Sequence, residues 1–154
     1  MIADMWEARD PNFEAKIRAS FEKQLIMRHL GARLVSVEPG EVRIELPFRK
    51  ELTQQHGFLH AGATTTIADS AGGYASYSLM PSGSSILTVE FKVNLMAPAK
   101  GDRFLAIGRV KKPGRNLFFA EFEVLAIDGE NERVCLTGSQ TNMRLEASDK
   151  LPEG

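Results

Sequence analysis

The chain has 154 residues, 43% of them hydrophobic and 25% charged, with a formal net charge of −1. This is the size and make-up of one globular domain with a sizeable core. It lacks the basic excess of nucleic-acid-binding domains, and no apolar run approaches membrane-spanning length, so neither nucleic acid nor a membrane is an expected partner. The single cysteine, Cys135, admits no internal disulfide. The opening stretch "MIADMWEARDPNFEAK" lacks the basic-then-apolar plan of a signal peptide. Both point to a reducing, cytoplasmic setting.

One domain over 1–154 is expected, with an N-terminal helix over about 10–29, a core over about 30–145 and a tail over 146–154. Asp10-Pro11 opens the first helix, with Asp10 as cap and Pro11 in the first turn. Phe13, Ile17, Phe21, Leu25 and Met27 follow at helical spacing, and Gly31 stops the element. The period then changes to two. Leu34–Val37, the turn "EPGE" and the alternation of Val42, Ile44 and Leu46 with Arg43 and Glu45 predict a hairpin.

A second helix is predicted from about His60 to Leu79, and strands from there to the end. Leu87, Val89, Phe91, Val93 and Leu95 alternate with Thr88, Glu90, Lys92 and Asn94, which places them on one face of a strand. Phe104–Val110 forms the next strand, "KKPGRN" a turn, Leu117–Ala126 another strand, and "DGENE" a turn before Arg133–Leu145 closes the sheet. Phe118, Phe119 and Phe122 read as core and self-association packing. The order of helix, two strands, helix and four strands predicts an α+β fold with an antiparallel sheet.

The central helix carries the chemistry. It is crowded with small residues, and its adjacent Gly72 and Gly73 each cost about 1 kcal/mol relative to alanine inside a helix. Close approach of a sheet curling around the helix is the compensation. From Ala61 to Val89 the sole charged residue is Asp69. A buried carboxylate needs partners or a shifted pKa, and such acids concentrate at functional sites. A solvated position, or a bond to Thr65, Thr66 or Ser70, is the structural alternative.

Nine residues separate His60 from Asp69, which is about 900° of helical turn and about 13 Å of rise. The helix start and Asp69 therefore face opposite sides, and if both are catalytic a second copy of the chain must bring them together, as a two-fold dimer does. The helix start offers backbone N–H groups without intrahelical partners, suited to a developing oxyanion. Ala61 and Gly62 leave room for a carbonyl to approach them. A carbonyl polarised at one chain's helix start and attacked with help from another chain's carboxylate fits all of these features.

At this point "QHGFLHAGATTTIADSAGG", followed by "ILTVEFKVNLMAPAKGDRFLAIGRVKKPGRNLFFAEFEV", resembles the PaaI-type acyl-CoA thioesterases of the hotdog superfamily, from about Leu30 to Leu145. The resemblance implies a sheet wrapped around the long central helix, with an additional N-terminal helix, and a homodimer or homotetramer whose sheets join across the dimer. It implies hydrolysis of an acyl-CoA, aromatic or medium-chain, with coenzyme A entering as part of the substrate and no separate cofactor. By position, Asp69 matches the family's general base or nucleophile, Ala61 supplies the oxyanion-hole amide with Gly62 beside it, and Thr88 matches a water-holding strand position. Gln54, six residues before His60, matches the polar residue that orients water or thioester, with Gln55 and His56 beside it. Ala61 stands where the family has glycine, and Gln54 where asparagine is commoner.

His56 and His60 are four apart, but with no third ligand nearby no metal site is expected; His60 reads as a loop-locking side chain. Lys111, Lys112 and Arg115 cluster at a hairpin turn, either as a solvated turn or facing the nucleotide phosphates of coenzyme A. Met80 and Met96 are candidates for an acyl pocket. Two rival functions share these motifs: an acyl-CoA hydratase or dehydratase using a histidine–acid pair, and a non-catalytic acyl-CoA-binding module.

Overall fold

A computed structural model describes residues 5–146 and Leu151, so most of the expected tail lies outside the described residues. The elements in chain order are α1 (Phe13–Lys23), α2 (Leu25–Leu30), β1 (Arg33–Glu38), β2 (Glu41–Pro47), α3 (Ala61–Tyr77), β3 (Ser85–Leu95), β4 (Arg103–Lys112), β5 (Leu117–Asp128) and β6 (Asn131–Leu145). The six strands form one sheet in the order β1-β2-β4-β5-β6-β3. Every neighbouring pair is antiparallel. The fold is α+β, as expected. The last strand is interior, however: β3 lies outside it and forms one edge of the sheet.

The sheet wraps α3, and small residues set the spacing. Gly108 of β4 lies directly against the backbone of Ala71 and Gly72, where any Cβ would collide. A Cβ on Gly72 would in turn strike the Gln140 side chain. Around this contact Ile44, Leu46, Ile67, Phe104, Phe118, Val124 and Leu136 are fully enclosed. Burial of this apolar surface is the main stabilising term.

The N-terminal helix differs from expectation by being two helices. Gln24 takes an extended ψ of 99° between them, and its Nε2 donates to the Tyr74 hydroxyl at 2.7 Å. The break turns Leu25 outward, to 72% exposure, while Met27 and Leu30 remain buried. The first helix also begins at Phe13, because the Asp10 carboxylate accepts from the Asn12 N–H and pairs with Lys16 at 3.0 Å. Gly31 ends α2 at φ 77°, as its position predicted.

β3 carries a second difference. Its register slips between Thr88 and Glu90, so that Thr88 stands opposite Asn142 and Glu90 opposite Thr141. This bulge adds one residue and moves the rest of the strand to the other face. The expected single stripe is split. Leu87 shares the outer face with Glu90, whereas Phe91, Val93 and Leu95 share the helix-facing side with Thr88. Leu87, Val89, Phe91 and Leu95 are all about half exposed or more.

Candidate active site

The approach to α3 is held by short local bonds. A 3₁₀ turn over Lys50–Leu52 leads to a bridge between Thr53 and Leu59, and Gly57 takes φ 84° at the tip. His60 is extended, at φ −62° and ψ 137°, and its Nδ1 accepts the Gly62 N–H at 2.8 Å. His60 is thus the helix cap, in place of the usual serine or aspartate. The Gly62 N–H is engaged by that bond. The Ala61 N–H has no acceptor among the described residues.

Ala61 lines a cleft of about 520 Å³ with Gln54, Phe58, Leu95, Met96 and Cys135. The Gln54 Oε1 accepts the His56 N–H at 2.5 Å, which leaves the Gln54 NH₂ group unpartnered among the described residues. Burial pushes the Cys135 thiol up to about 11, so it stays protonated at neutral pH and is a poor nucleophile. Gln55, His56 and His60 are exposed. Met80 is fully buried in the core and does not line this cleft, whereas Met96 does.

Asp69 lies on the other side of the helix. It lines a separate cleft of about 360 Å³ with Ser20, Gln24, Tyr74, Ile86 and Thr88, and no residue lines both clefts. The Thr88 Oγ1 donates to Asp69 Oδ1 at 2.8 Å, while Oδ2 has no partner among the described residues. Desolvation raises the Asp69 pKa above the usual carboxylate range, and the Thr88 hydrogen bond draws it partly back. None of Thr65, Thr66 and Ser70 bonds the carboxylate: Thr66 donates to the Gly62 carbonyl and Ser70 faces Gln24.

Behind Asp69 lie two residues that sequence reasoning passed over. Gln140 and Asn142 of β6 are 2% and 0% exposed, and the Gln140 Nε2 reaches Asp69 Oδ1 at 3.5 Å. Their signal was the unbroken polar run Gly138-Ser139-Gln140-Thr141-Asn142, which interrupts the apolar residues Val134, Cys135, Leu136 and Met143 of the strand. Ser20 and Gln24 were also passed over, because a regular helix through Gln24 gave no reason to aim them at α3. The basic cluster is at the β4–β5 turn as expected. Lys111 pairs with Glu121 at 3.3 Å, and Lys112 and Arg115 are exposed.

A single antiparallel sheet curled around one long helix is the hotdog architecture, here with a capped helix start and a mid-helix acid. The family model described as the thioesterase superfamily matches residues 56–132. Acyl-coenzyme A thioesterase 13 of Homo sapiens is 31% identical over 110 residues, covering 70% of this chain and 78% of that protein. A thioesterase family protein of Silicibacter pomeroyi has a crystal structure that superposes with a TM-score of 0.86 at 46% identity, over 87% of this chain and 98% of that one. The PaaI protein of E. coli shares the fold, with a TM-score of 0.78 at 18% identity over 87% and 94% of the two chains. The chain belongs to the thioesterase superfamily, with the hotdog fold that the PaaI protein shares. It is a thioester hydrolase. Among the described residues no helix is long and apolar enough to cross a membrane.

Proposed function

We propose that this thioester hydrolase acts on acyl-CoA, releasing coenzyme A and a carboxylic acid at sites that two copies of the chain complete together. The supporting observation is a separation: an Ala61 amide and an Asp69 Oδ2, each without a partner among the described residues, lie in different clefts along one helix. The 11-residue edge strand β3, with its half-exposed apolar side chains, argues for self-association, because such an edge is rarely left bare. Two-fold pairing of β3 with its copy joins the sheets and sets the partner subunit's Ala61 against Asp69. A tetramer of two such dimers uses the same site.

In this reading Asp69 Oδ2 takes a proton from water as the water oxygen attacks the thioester carbonyl carbon. The carbonyl oxygen becomes an oxyanion held by the partner subunit's Ala61 N–H. Collapse of the adduct breaks the carbon–sulfur bond, and the coenzyme A sulfur leaves with the proton from Asp69. Thr88 fixes Oδ1, so that Oδ2 faces the reaction. Gln54 offers its NH₂ to the thioester or the water. Gly62 keeps the helix start open, since a Cβ there would lie 2.9 Å from His60 Nδ1. Gln55 and His56 form the rim, and Lys111, Lys112 and Arg115 meet the nucleotide phosphates. Coenzyme A enters as substrate, and the steps call on no metal or separate cofactor. The human relative, named for acyl-coenzyme A, supports the substrate class.

A hydratase would need His60 as its acid–base group; its Nδ1 is taken up by the helix cap, so that role would fall to Nε2. A thiol-release assay over straight-chain and aromatic acyl-CoAs tests the proposal. Wild type should release thiol from at least one, and Asp69→Ala should lose that activity. Enoyl-CoA hydration without thiol release, no turnover of any acyl-CoA, or full activity in Asp69→Ala would overturn it.

A further inference from the structure

The buried amides of β6 have no evident packing purpose. Asn142 is fully enclosed, and its Nδ2 donates to Ser76 Oγ at 2.9 Å. The Ser76 hydroxyl in turn donates to the Gly72 carbonyl at 3.1 Å, so its oxygen is free to accept. That order fixes the Asn142 amide with Oδ1 turned toward Gln140 and Thr88. Gln140 Nε2 donates to this Oδ1 at 2.8 Å. The same NH₂ group reaches the Asp69 carbonyl at 3.3 Å and Asp69 Oδ1 at 3.5 Å. Turning the Gln140 amide over would set its oxygen against Asn142 Oδ1 and the Asp69 carboxylate, so its orientation is determined as well.

This arrangement leaves Gln140 Oε1 buried without a hydrogen-bond partner among the described residues. An orphaned carbonyl inside a protein is unfavourable, and a leucine or methionine would fill the same volume without it. Buried polar groups retained at a loss of stability are expected at functional sites.

We infer that Gln140 and Asn142 are positioning residues for Asp69, a buried amide relay in which Asn142 orients Gln140 and Gln140 holds one N–H at Asp69 Oδ1, fixing the carboxylate with Oδ2 toward the cleft. The inference rests on Asp69 being the acid of the site proposed above. The donors run outward from the Gln140 NH₂ group, one arm through Asn142 and Ser76 to the Gly72 carbonyl and the other to Asp69. Thr88 Oγ1, 3.3 Å from Asn142 Oδ1, belongs to both the relay and the carboxylate.

The groups facing Asp69 are Ser20 and Gln24 from the N-terminal helices, Ser70 and Tyr74 from α3, Thr88 from β3 and Gln140 from β6. Glu90 of β3 is turned to the outer face, where it accepts from Thr141 at 2.5 Å. No charged side chain among the described residues perturbs the Asp69 ionisation. Neutral donors, Thr88 first and Gln140 by its distance to Oδ1, are therefore what opposes the desolvation of the carboxylate, and removing one should move its pKa upward.

The test uses Gln140→Met and Gln140→Glu in the full chain, with two readouts: the Asp69 carboxyl titrated by carbon NMR, and the acid limb of kcat/KM. Gln140→Met removes the donor and the orphaned oxygen together. It should melt close to wild type and raise the Asp69 pKa by about half a unit. Gln140→Glu is nearly isosteric and places a second carboxyl beside the first, which should raise it by about one unit or more. The acid limb should move by the same amount, with the plateau rate regained at higher pH. A purely structural loss would lower the rate at every pH and leave the limb in place. An Asp69 pKa unchanged in both folded variants overturns the relay. A pKa that moves while the acid limb stays still would uphold the relay and overturn Asp69 as the base.

Discussion

Ala61 and Asp69 stand eight residues apart on one helix, yet the first offers a main-chain N–H and the second a side-chain carboxylate. The helix start is built mostly from local bonds within residues 52–64, with one bond from the Leu59 N–H to the Ala99 carbonyl, and ends in the His60 cap. The middle is built from distant ones, reaching Ser20, Thr88, Gln140 and Asn142. A main-chain donor is indifferent to its own side chain provided that the side chain is small, which is why alanine serves at 61. A carboxylate depends on every atom around it. The two should therefore respond to substitution in opposite ways.

The largest effect is expected at the carboxylate. Asp69→Asn keeps the shape and removes the base, and steady-state assays should find kcat/KM lowered by about 10²–10⁴-fold. The same variant should melt higher than wild type. Burial raises the Asp69 pKa, so the folded state disfavours the charged form. The gain from asparagine is full above the folded-state pKa and disappears as pH falls below the unfolded one. Thermal melts across pH check the sign. A variant no more stable than wild type at neutral pH would show that the carboxylate is better solvated than its surroundings imply.

The next effect is sharper in meaning. Ala61→Pro deletes one N–H at the first helical position, where proline is well accommodated, and His60 at φ −62° and ψ 137° already has the backbone preferred before proline. Its melting temperature should stay near that of wild type while kcat falls about 10²–10³-fold. Ala61→Ser should keep most of the activity. If serine proved as damaging as proline, the side chain and not the amide would be the functional part.

The smallest effect is at the β4–β5 turn. Lys112→Ala with Arg115→Ala should raise KM for acyl-CoA a few-fold at low salt, with little change in kcat, and the difference should shrink as salt screens the charges. An unchanged KM at low salt would make these residues an ordinary solvated turn.

The sequence made the helix start and the lone acid legible because both are breaks in a local pattern: small residues around an uncharged stretch, and one charge within it. Their opposition followed from helical arithmetic alone. The close approach of the sheet was likewise anticipated from the paired helix glycines, and it falls at Gly72, against Gly108 of β4, whereas Gly73 has only an ordinary contact. What stayed hidden was non-local. The break at Gln24 is set by a hydroxyl 50 residues away, and no local propensity announces it. The bulge at Val89 depends on the register against β6, and one inserted residue reversed the facing of half the strand. Gln140 and Asn142 were visible as a polar run, but period-two alternation does not say which face of an interior strand meets the helix.

The measurement that bears most directly on a shared site is complementation between two inactive variants. Asp69→Ala and Ala61→Pro, each inactive alone, would be co-expressed in equal amounts and assayed for thiol release. Random pairing makes about half of the dimers mixed, and each mixed dimer holds one site with an intact acid facing an intact amide, so about a quarter of wild-type activity should return. A mixture as inactive as its parents, despite demonstrated mixed dimers, would mean that the amide and the acid of a single chain serve the same substrate.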